Sequence, residues 1–336
     1  MLKVAINGFG RIGRTAFKVA LDKFSQDLEI VAINDLGDAR ILAHLLKYDS
    51  NYGIWNHQVS HDETHIIVDN KNYPVLNEKD PQKLPWKDLN VDVVIESTGR
   101  FTRGEDAALH LKAGAKKVVI SAPTHGDGTE VPTLLLGVNG DKYAGEEVIS
   151  NSSCTTNCIA PVAKVMDEKF GIVKGMMTTI HAYTQDQNLQ DGPHKDLRRA
   201  RGAAQNIVPT STGAARSTTE VIPDLKGKFD GMSMRVPVAV GSISDFTFLL
   251  AKKVTVEEVN QALTEAADSP NLQGILAVTE EPVVSSDIVG RPESAIVDLS
   301  LTQVVDGDMV KVFAWYDNEY GYSCRLVEQV INVGRS

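Results

Sequence analysis

A glycine-rich turn near the start of the chain constrains the fold more than any other feature. The segment GFGRIG at 8–13 follows a short apolar run at 3–7 and opens Arg11–Phe24, where apolar residues have helical spacing. Asp35 closes the next apolar run, about 20 residues beyond the third glycine, which is the spacing of a dinucleotide-binding βαβ unit. The sequence therefore predicts that the chain begins with such a unit.

Each glycine of this turn has a separate physical role in the prediction. Gly8 permits the tight turn, Gly10 lets the backbone approach a pyrophosphate, and Gly13 allows the helix to pack closely on the strand. The helix start offers backbone N–H groups and partial positive charge to phosphates. The Asp35 carboxylate can accept hydrogen bonds from ribose hydroxyls and would repel a 2′-phosphate, so NAD is favoured over NADP.

The alternation of elements predicts an α/β chain with two domains. Apolar strand-like runs at 29–35, 91–97 and 117–121 alternate with helical segments, including 105–113, which is typical of a doubly wound parallel sheet. We assign a Rossmann-type NAD-binding domain to residues 1–152, joined by a C-terminal helix at 318–336. The remaining 153–317 read as an α+β catalytic domain with a mostly antiparallel or mixed sheet.

The second half is richer in strand-like segments. A helix is predicted at 157–170, and another at Val256–Ala267, where Thr255 and Glu258 form a capping box. Strands are predicted at 173–184, 232–239, 242–252, 294–303 and Met309–Tyr316.

Charge and cysteine content exclude several classes of protein. The 336 residues carry a formal net charge of −10, which argues against a nucleic acid as the main partner. Three cysteines do not suggest a disulfide framework, and they fit a reducing compartment. We find no signal-peptide pattern and no apolar run near the ~18 residues of a membrane span. A cytoplasmic location without a membrane partner is expected.

One segment has the features of a nucleophile site. Cys154 lies in SNSSCTTNC at 150–158, at or just before a helix start, where the helix dipole is expected to lower the thiol pKa. Cys158 lies one helical turn further on. Two structural thiols or half of a metal site are the alternatives, but no second Cys or His cluster has ligand spacing, so no metal is expected.

A nucleophilic thiol needs a base, and His181 is the candidate. It lies in the β segment TTIHAYTQDQ, whereas the other seven histidines occur in less organised settings or on helix and loop surfaces. A satisfied core histidine is the alternative interpretation. Spacing alone does not show whether His181 reaches Cys154.

Together these segments resemble one family, the phosphorylating glyceraldehyde-3-phosphate dehydrogenases. The resemblance extends from residue 6 to residue 323 and includes INGFGRIGR, AHLLKYDS, STGRF, SNSSCTTNC, HAYTQDQ, PHKDLRRAR, PTSTGAA, MRVPV and WYDNEYGYS. The loop at 122–136 departs from the family by being longer and richer in glycine, and we interpret it as a surface variation. The KDLRRAR run is better read as part of a loop near NAD and a subunit interface than as a solvated face.

The resemblance implies a reaction and its residues. Cys154 attacks the aldehyde of glyceraldehyde 3-phosphate, His181 acts as base, a hydride passes to NAD, and inorganic phosphate releases the acyl phosphate from the thioester. Matching positions imply binding of the substrate phosphate by Thr184 and Arg235. The positions implied for inorganic phosphate are Ser153, Thr155, Thr212 and Gly213, with Arg199 lining this region.

The resemblance also implies a cofactor set and an assembly. NAD would contact Arg11 and Ile12 at the pyrophosphate, Asp35 at the ribose, Lys79 on the adenine side, Ser121 after a sheet strand, and Asn318 near the carboxamide. A homotetramer is expected.

Three alternatives stay open at this stage. They are an erythrose-4-phosphate dehydrogenase of the same fold, a reductive NADPH-dependent semialdehyde enzyme, and a non-catalytic binding protein. Asp35 argues against the NADPH enzyme, and the complete set of Gly, Cys, His and Arg residues argues against a vestigial site.

Overall fold

The structure is a computed structural model that describes residues 1–124 and 131–336. The described chain divides into two compact units: Met1–Leu134 with Lys142–Ser152 and Ser323–Ser336, and Leu135–Asp141 with Ser153–Tyr322. Residues 125–130 of the loop at 122–136, which include His125, lie outside the described residues. Among the described residues, no helix is long and apolar enough to cross a membrane.

The first unit contains the elements that surround the glycine turn. In chain order they are β1 Leu2–Asn7, α1 Arg11–Phe24, β2 Leu28–Asn34, α2 Ala39–Lys47, β3 Tyr48–Asp49, β4 Gly53–Ile54, β5 Val59–His61, β6 His65–Val68, β7 Lys71–Leu76, β8 Val93–Glu96, α3 Gly104–Ala107, α4 Leu109–Lys112, β9 Lys117–Ile120 and β10 Val148–Ser150.

Within the described residues, eight of these strands form one sheet in the order β10-β9-β8-β1-β2-β7-β6-β5, and β3 pairs with β4 in a separate two-stranded sheet. The strands from β10 to β7 run parallel, which confirms the predicted doubly wound sheet. The β5-β6-β7 edge is antiparallel and was not anticipated from the sequence. The central strands carry continuous apolar runs, such as the fully buried Val4–Ile6 stretch, because a parallel sheet is covered on both faces.

The second unit begins at the helix that carries the candidate nucleophile. Its elements are α5 Cys154–Phe170, β11 Ile172–Ala182, β12 Val208–Thr210, α6 Ala214–Val221, β13 Phe229–Val236, β14 Ser242–Leu250, α7 Val256–Ala267, β15 Leu276–Thr279, β16 Ala295–Asp298, β17 Gln303–Val305, β18 Met309–Tyr316 and the start of α8 Tyr320–Arg335.

The second sheet is mixed, as predicted. In the described residues its order is β12-β13-β11-β14-β18-β16-β15, with β17 also pairing with β18. The β11–β13 and β15–β16 pairs are parallel, and the other pairs are antiparallel. Helix α5 buries an apolar face that includes Ile159, Val162 and Met166 in the core of this unit.

Three predicted elements need correction. The helix expected at 105–113 is divided at Ala108 into α3 and α4, because ψ of −11° at Ala108 opens the turn there. The strand expected at 294–303 stops at Asp298, whose carboxylate accepts hydrogen bonds from Ser300 and Trp315, and a 3₁₀ turn follows. The helix expected at 157–170 begins at Cys154.

Candidate active site

The glycine turn of the first unit is shaped by contacts that only glycine permits. Gly8 has φ +95°, and a Cβ there would lie 2.6 Å from the backbone nitrogen of Thr98. A Cβ on Gly13 would lie 2.1 Å from the carbonyl oxygen of Gly8. By contrast, no described atom lies within 4 Å of a Cβ built on Gly10. The turn is therefore packed against protein at Gly8 and Gly13, and it is open at Gly10.

The start of α1 offers backbone donors rather than a side-chain cation. Its N-cap is Gly10, which supplies no side-chain cap, and its first turn holds no acidic residue. The Arg11 guanidinium donates to Asp49 Oδ2 over 2.8 Å, so that side chain is already paired. Any contact of Arg11 and Ile12 with an anion would therefore use their backbone N–H groups.

Asp35 is fixed to the same turn by backbone hydrogen bonds. Its Oδ2 accepts from the Phe9 N–H over 2.7 Å, and its Oδ1 accepts from the Gly37 N–H over 2.9 Å. Each carboxylate oxygen keeps a second lone pair for another donor, as a ribose hydroxyl would require.

The other predicted cofactor residues lie in different settings. Lys79 is exposed, and the Ser121 N–H donates to the carbonyl oxygen of Glu96 after β9. Asn318, in the second unit, is buried, and its Oδ1 accepts from Gly241 N–H and Ser242 Oγ–H. These two donors orient the Asn318 amide so that its nitrogen remains to donate to a ligand carbonyl.

Cys154 is the first residue of α5, and Ser153 is the N-cap. The Ser153 Oγ accepts from the Thr156 N–H over 3.1 Å, which satisfies one of the unpaired donors of the first turn. The helix starts three residues earlier than predicted because Ser153 provides this cap. The thiol therefore lies at the positive end of the helix dipole.

The structure brings His181 to Cys154. The Sγ of Cys154 lies 3.5 Å from Nε2 of His181, which is near the end of β11 and buried. Nδ1 of His181 lies 2.6 Å from the carbonyl oxygen of Ala182, an acceptor only, which favours a ring proton on Nδ1. In that tautomer Nε2 is an acceptor that faces the thiol, as a general base requires.

Strand register places Arg235 beside the histidine. His181 and Arg235 are direct partners in the parallel β11–β13 pair. Nη1 of Arg235 lies 2.7 Å from Nδ1 of His181 and 3.2 Å from the Ala182 carbonyl oxygen. Nη1 can only donate, so its contact with Nδ1 favours the opposite tautomer, and its positive charge disfavours an imidazolium beside it.

The pKa of each group in this cluster follows from burial and from Arg235. Burial, with the Arg235 charge second, lowers the pKa of His181 to about 3, so its imidazole is neutral at physiological pH. Burial also raises the pKa of the Cys154 thiol, although Arg235 and hydrogen bonds at Thr155 act in the opposite direction. The expectation of a lowered Cys154 pKa is therefore wrong, because desolvation outweighs the helix terminus.

The sequence analysis missed a cluster of hydroxyl groups, formed by Tyr316, Thr155 and Thr179, that adjoins Cys154 and His181. The Tyr316 hydroxyl is buried 3.0 Å from Thr155 Oγ1 and 2.7 Å from Thr179 Oγ1. Its ring also packs edge-on against His181, with ring centroids 6.0 Å apart. Thr179 precedes His181 by two residues and therefore shares its face of β11, a period-2 signal that the sequence did contain.

A second group of polar side chains adjoins Arg235. Thr184 donates its hydroxyl to Asp186, and Arg199 Nη1 lies 2.5 Å from the other Asp186 oxygen. Burial opposes ionisation of Asp186, but Thr184, Arg235 and Arg199 together lower the pKa of this carboxyl. Asp186 was not predicted, although it lies two residues after Thr184 in the quoted HAYTQDQ segment.

Thr212 and Gly213 lie where α6 begins. Thr212 Oγ1 accepts from the Ala214 N–H over 3.2 Å, and Gly213 is the exposed N-cap. Arg199 Nη2 donates to the carbonyl oxygen of Ser211 over 3.2 Å, which ties Arg199 to this segment. Contacts thus join Thr155, Cys154, His181 and Arg235 in one cluster, and Thr184, Asp186, Arg199 and 211–213 in a second group.

No metal-binding cluster of three His, Cys, Asp or Glu residues is present among residues 1–124 and 131–336. The contacts of Cys154, His181 and Arg235 support nucleophilic attack by Cys154 with His181 as proton acceptor, next to buried positive charge.

Comparisons with known proteins agree on a single family. A family model described as glyceraldehyde 3-phosphate dehydrogenase, NAD binding domain, matches residues 2–104, and the model of its C-terminal domain matches residues 153–318. The chain is 56% identical to a Streptomyces coelicolor protein named glyceraldehyde-3-phosphate dehydrogenase, over 99% of the chain and 98% of the relative.

Two further relatives carry similar names. A Geobacillus stearothermophilus glyceraldehyde-3-phosphate dehydrogenase is 56% identical over 97% of the chain and 96% of the relative. A Bacillus subtilis protein named glyceraldehyde-3-phosphate dehydrogenase 1 is 54% identical over the same shares of the two chains.

The pairing of Cys154 with His181 predicts how the thiol reacts. We expect His181→Asn to slow alkylation of Cys154 by iodoacetamide at neutral pH by about 10²-fold, the lower end of general-base assistance. The reason is that the thiol proton loses its acceptor at 3.5 Å. The rate is measured by mass spectrometry of the labelled peptide. Cys158→Ser is the matched control and should leave the rate unchanged, because Cys158 is fully buried. Equal rates in His181→Asn and wild type would contradict the assignment.

Proposed function

The chain belongs to the glyceraldehyde-3-phosphate dehydrogenase family, and we propose that it is the phosphorylating, NAD-dependent enzyme of glycolysis and gluconeogenesis. In this role it converts glyceraldehyde 3-phosphate and inorganic phosphate to 1,3-bisphosphoglycerate through a thioester on Cys154. The observation that carries the proposal is the Cys154 thiol at the start of α5, 3.5 Å from a neutral imidazole.

The proposed sequence of proton movements follows from His181. As Sγ of Cys154 attacks the aldehyde carbon, Nε2 takes the thiol proton and passes it to the alkoxide of the thiohemiacetal. Nε2 then accepts the hydroxyl proton as the carbon loses its hydride, which leaves the acyl thioester. Bound NAD would supply the hydride acceptor. Inorganic phosphate then attacks the acyl carbon and its proton passes to solvent, so that the acyl phosphate leaves and the C–S bond breaks. The Cys154 thiolate regains the proton held on His181.

Anion binding is proposed at two groups of residues. Thr184 and Arg235 would hold the phosphate of the substrate, and Arg235 has a buried Nε without a hydrogen-bond partner, as expected of a guanidinium that awaits an anion. Ser153, Thr155, Thr212, Gly213 and Arg199 would receive the attacking phosphate. The exposed Gly213 backbone and the cationic Arg199 support this second assignment.

The residues around the glycine turn fit NAD. The open Gly10 and the acid-free first turn of α1 would receive the pyrophosphate through the backbone at Arg11 and Ile12. Asp35, fixed at the turn, would accept the ribose hydroxyls. Asn318 belongs to the second unit, and its proposed role at the carboxamide rests on the resemblance. Lys79 and Ser121 remain proposals that rest on the resemblance alone.

The first test is the reaction itself. The purified protein should form NADH from glyceraldehyde 3-phosphate only when phosphate or arsenate is present, and kcat/KM should be much higher than with erythrose 4-phosphate. Cys154→Ser should abolish turnover while NAD still binds, and Cys158→Ser should keep substantial activity. Full turnover without phosphate, or equal use of erythrose 4-phosphate, would refute the phosphorylating assignment, and an active Cys154→Ser variant would refute the thioester.

The second test concerns the choice of cofactor. The wild-type chain should strongly prefer NAD, because the 2′-phosphate of NADP would meet the Asp35 carboxylate. Asp35→Gly should lower the ratio of kcat/KM for NAD to kcat/KM for NADP, mainly because it removes this repulsion. Steady-state kcat/KM for both cofactors measures the effect, with Asp38→Asn as the control because Asp38 is a nearby, exposed carboxylate that caps α2. Comparable kcat/KM for NAD and NADP in the wild type would refute the role of Asp35.

We also propose that the chain assembles as a homotetramer. Large apolar side chains are exposed on the second unit, among them Leu189 at 76%, Leu197 at 82% and Met176 at 68%. An assembly would bury these side chains, and contiguous exposed apolar patches are typical of protein–protein interfaces. Sedimentation equilibrium should give four times the chain mass of 36.5 kDa, and a monomer at micromolar concentration would contradict the proposal. The expected cytoplasmic location stays a prediction.

A further inference from the structure

A buried polar cluster lies in the first unit, and the proposed chemistry does not use it. Glu96, the last residue of β8, has only 2% of its surface exposed, and His110 in α4 has none. The sequence analysis had placed His110 among surface or loosely organised histidines, which is wrong. Two ionisable side chains are costly to bury unless each finds hydrogen-bond partners.

The Glu96 carboxylate is surrounded by donors. Its Oε2 lies 2.5 Å from Asn7 Nδ2 and 3.1 Å from His110 Nε2. Its Oε1 accepts from the Thr98 N–H over 2.9 Å and from the Thr98 hydroxyl over 2.5 Å. An ionised carboxylate accepts through both oxygens and donates nothing, so its chemistry matches all four contacts.

Trp86 determines which tautomer His110 adopts. The fully buried indole donates its Nε1–H to His110 Nδ1 over 2.9 Å, and an indole nitrogen can only donate. Nδ1 therefore carries no proton, and the single ring proton lies on Nε2, where it points at Glu96. Trp86 thus determines, through Nδ1 of His110, that the other ring nitrogen Nε2 donates to Glu96.

The cluster connects the ends of three parallel strands. Asn34, the last residue of β2, donates its amide to Oδ1 of Asn7, the last residue of β1, over 2.7 Å. Asn7 in turn binds Glu96 at the end of β8. In open parallel sheets, ligands bind outside these carboxyl ends of the strands.

The same contacts reach the glycine turn. A Cβ on Gly8 would lie 2.6 Å from the backbone nitrogen of Thr98, so the turn rests directly against Thr98. The Ser97 hydroxyl donates to the Gly8 carbonyl oxygen over 2.7 Å. Because Glu96 holds Thr98 through two hydrogen bonds and Asn7 through one, it holds both sides of the Gly8 turn.

We propose that Glu96 is a positioning residue for NAD: its buried carboxylate, together with the tautomer of His110 fixed by Trp86, holds Asn7 and Thr98 so that the Gly8 turn keeps its binding shape. The proposal rests on the proposed NAD-binding function. It assigns to Glu96 no contact with the reacting atoms.

Glu96→Gln tests the charge while it keeps the shape of the side chain. One oxygen becomes an amide group, so at least one buried donor loses its acceptor and faces another donor. The dissociation constant of NAD, measured by calorimetry on the whole protein, should rise about tenfold or more, which is the cost typical of a buried unsatisfied donor. KM for NAD should rise with kcat near the wild-type value, and the rate of Cys154 alkylation should not change. An unchanged dissociation constant would overturn the proposal.

Adding Trp86→Phe to Glu96→Gln tests the tautomer. Without the indole donor, the His110 proton can move to Nδ1, and Nε2 can then accept from the new amide. The double variant should therefore bind NAD more tightly than Glu96→Gln alone, even though the smaller ring leaves a cavity. Trp86→Phe by itself is the matched control and should weaken NAD binding or leave it unchanged. Equal affinities of the single Glu96→Gln and the double variant would overturn the role of His110.

A third variant covers the case in which Glu96→Gln does not fold. Thr98→Val removes one donor to Glu96 and keeps the side-chain shape, so NAD affinity should fall while the melting temperature stays high enough for a folded protein. Wild-type affinity in Thr98→Val would then overturn the proposal. The wild-type titration separates the two hypotheses, because a wild-type chain that does not bind NAD refutes the proposed function itself.

Discussion

The chemistry of the second unit depends on one buried positive charge, the Arg235 guanidinium, held beside His181 by the register of β11 and β13. Burial, together with this charge, keeps His181 neutral, and the charge lies within electrostatic reach of the Cys154 sulfur. Burying a guanidinium is costly, and Asp186 compensates only part of the cost. The buried Nε without a partner shows that the arrangement is left incomplete in the chain alone. Under the proposed function an anionic substrate would complete it, so that binding and chemistry would use the same charge.

The resting state of the nucleophile follows from this constraint. Burial raises the pKa of Cys154 and lowers that of His181, so the pair is a thiol and a neutral imidazole rather than two ions. The base is therefore unprotonated at physiological pH and can accept a proton when the sulfur attacks. The hydroxyl contacts of Tyr316 with Thr155 and Thr179 tie the start of α5 to β11 and β18, which fixes the distance over which the proton moves.

In the first unit, the region of the glycine turn is held by two carboxylates, one buried and one half-buried. Its open surface at Gly10 is backbone, and the Arg11 cation is paired with Asp49. The charges that matter to the turn are Asp35 and Glu96, and both accept hydrogen bonds from backbone or side-chain donors of the turn region. Carboxylates that accept hydrogen bonds through both oxygens leave little freedom to the loops that they join, so they stabilise the arrangement of those loops.

The sequence by itself determined what depends on local chemistry. The positions of Gly8 and Gly13 follow from backbone geometry, the capping box at Thr255 and Glu258 fixes the start of α7, and alternating apolar residues give β18 its bounds. The residues of the site could also be named, because their motifs are short segments. Only the tertiary structure decided the electrostatics: the Cys154 pKa rises through desolvation, and Arg235 reaches His181 through strand register. The carboxylates of Asp186 and Glu96 and the His110 tautomer escaped sequence reasoning because folding supplies partners that are distant along the chain. These are Arg199 for Asp186, Asn7 and His110 for Glu96, and Trp86 for His110.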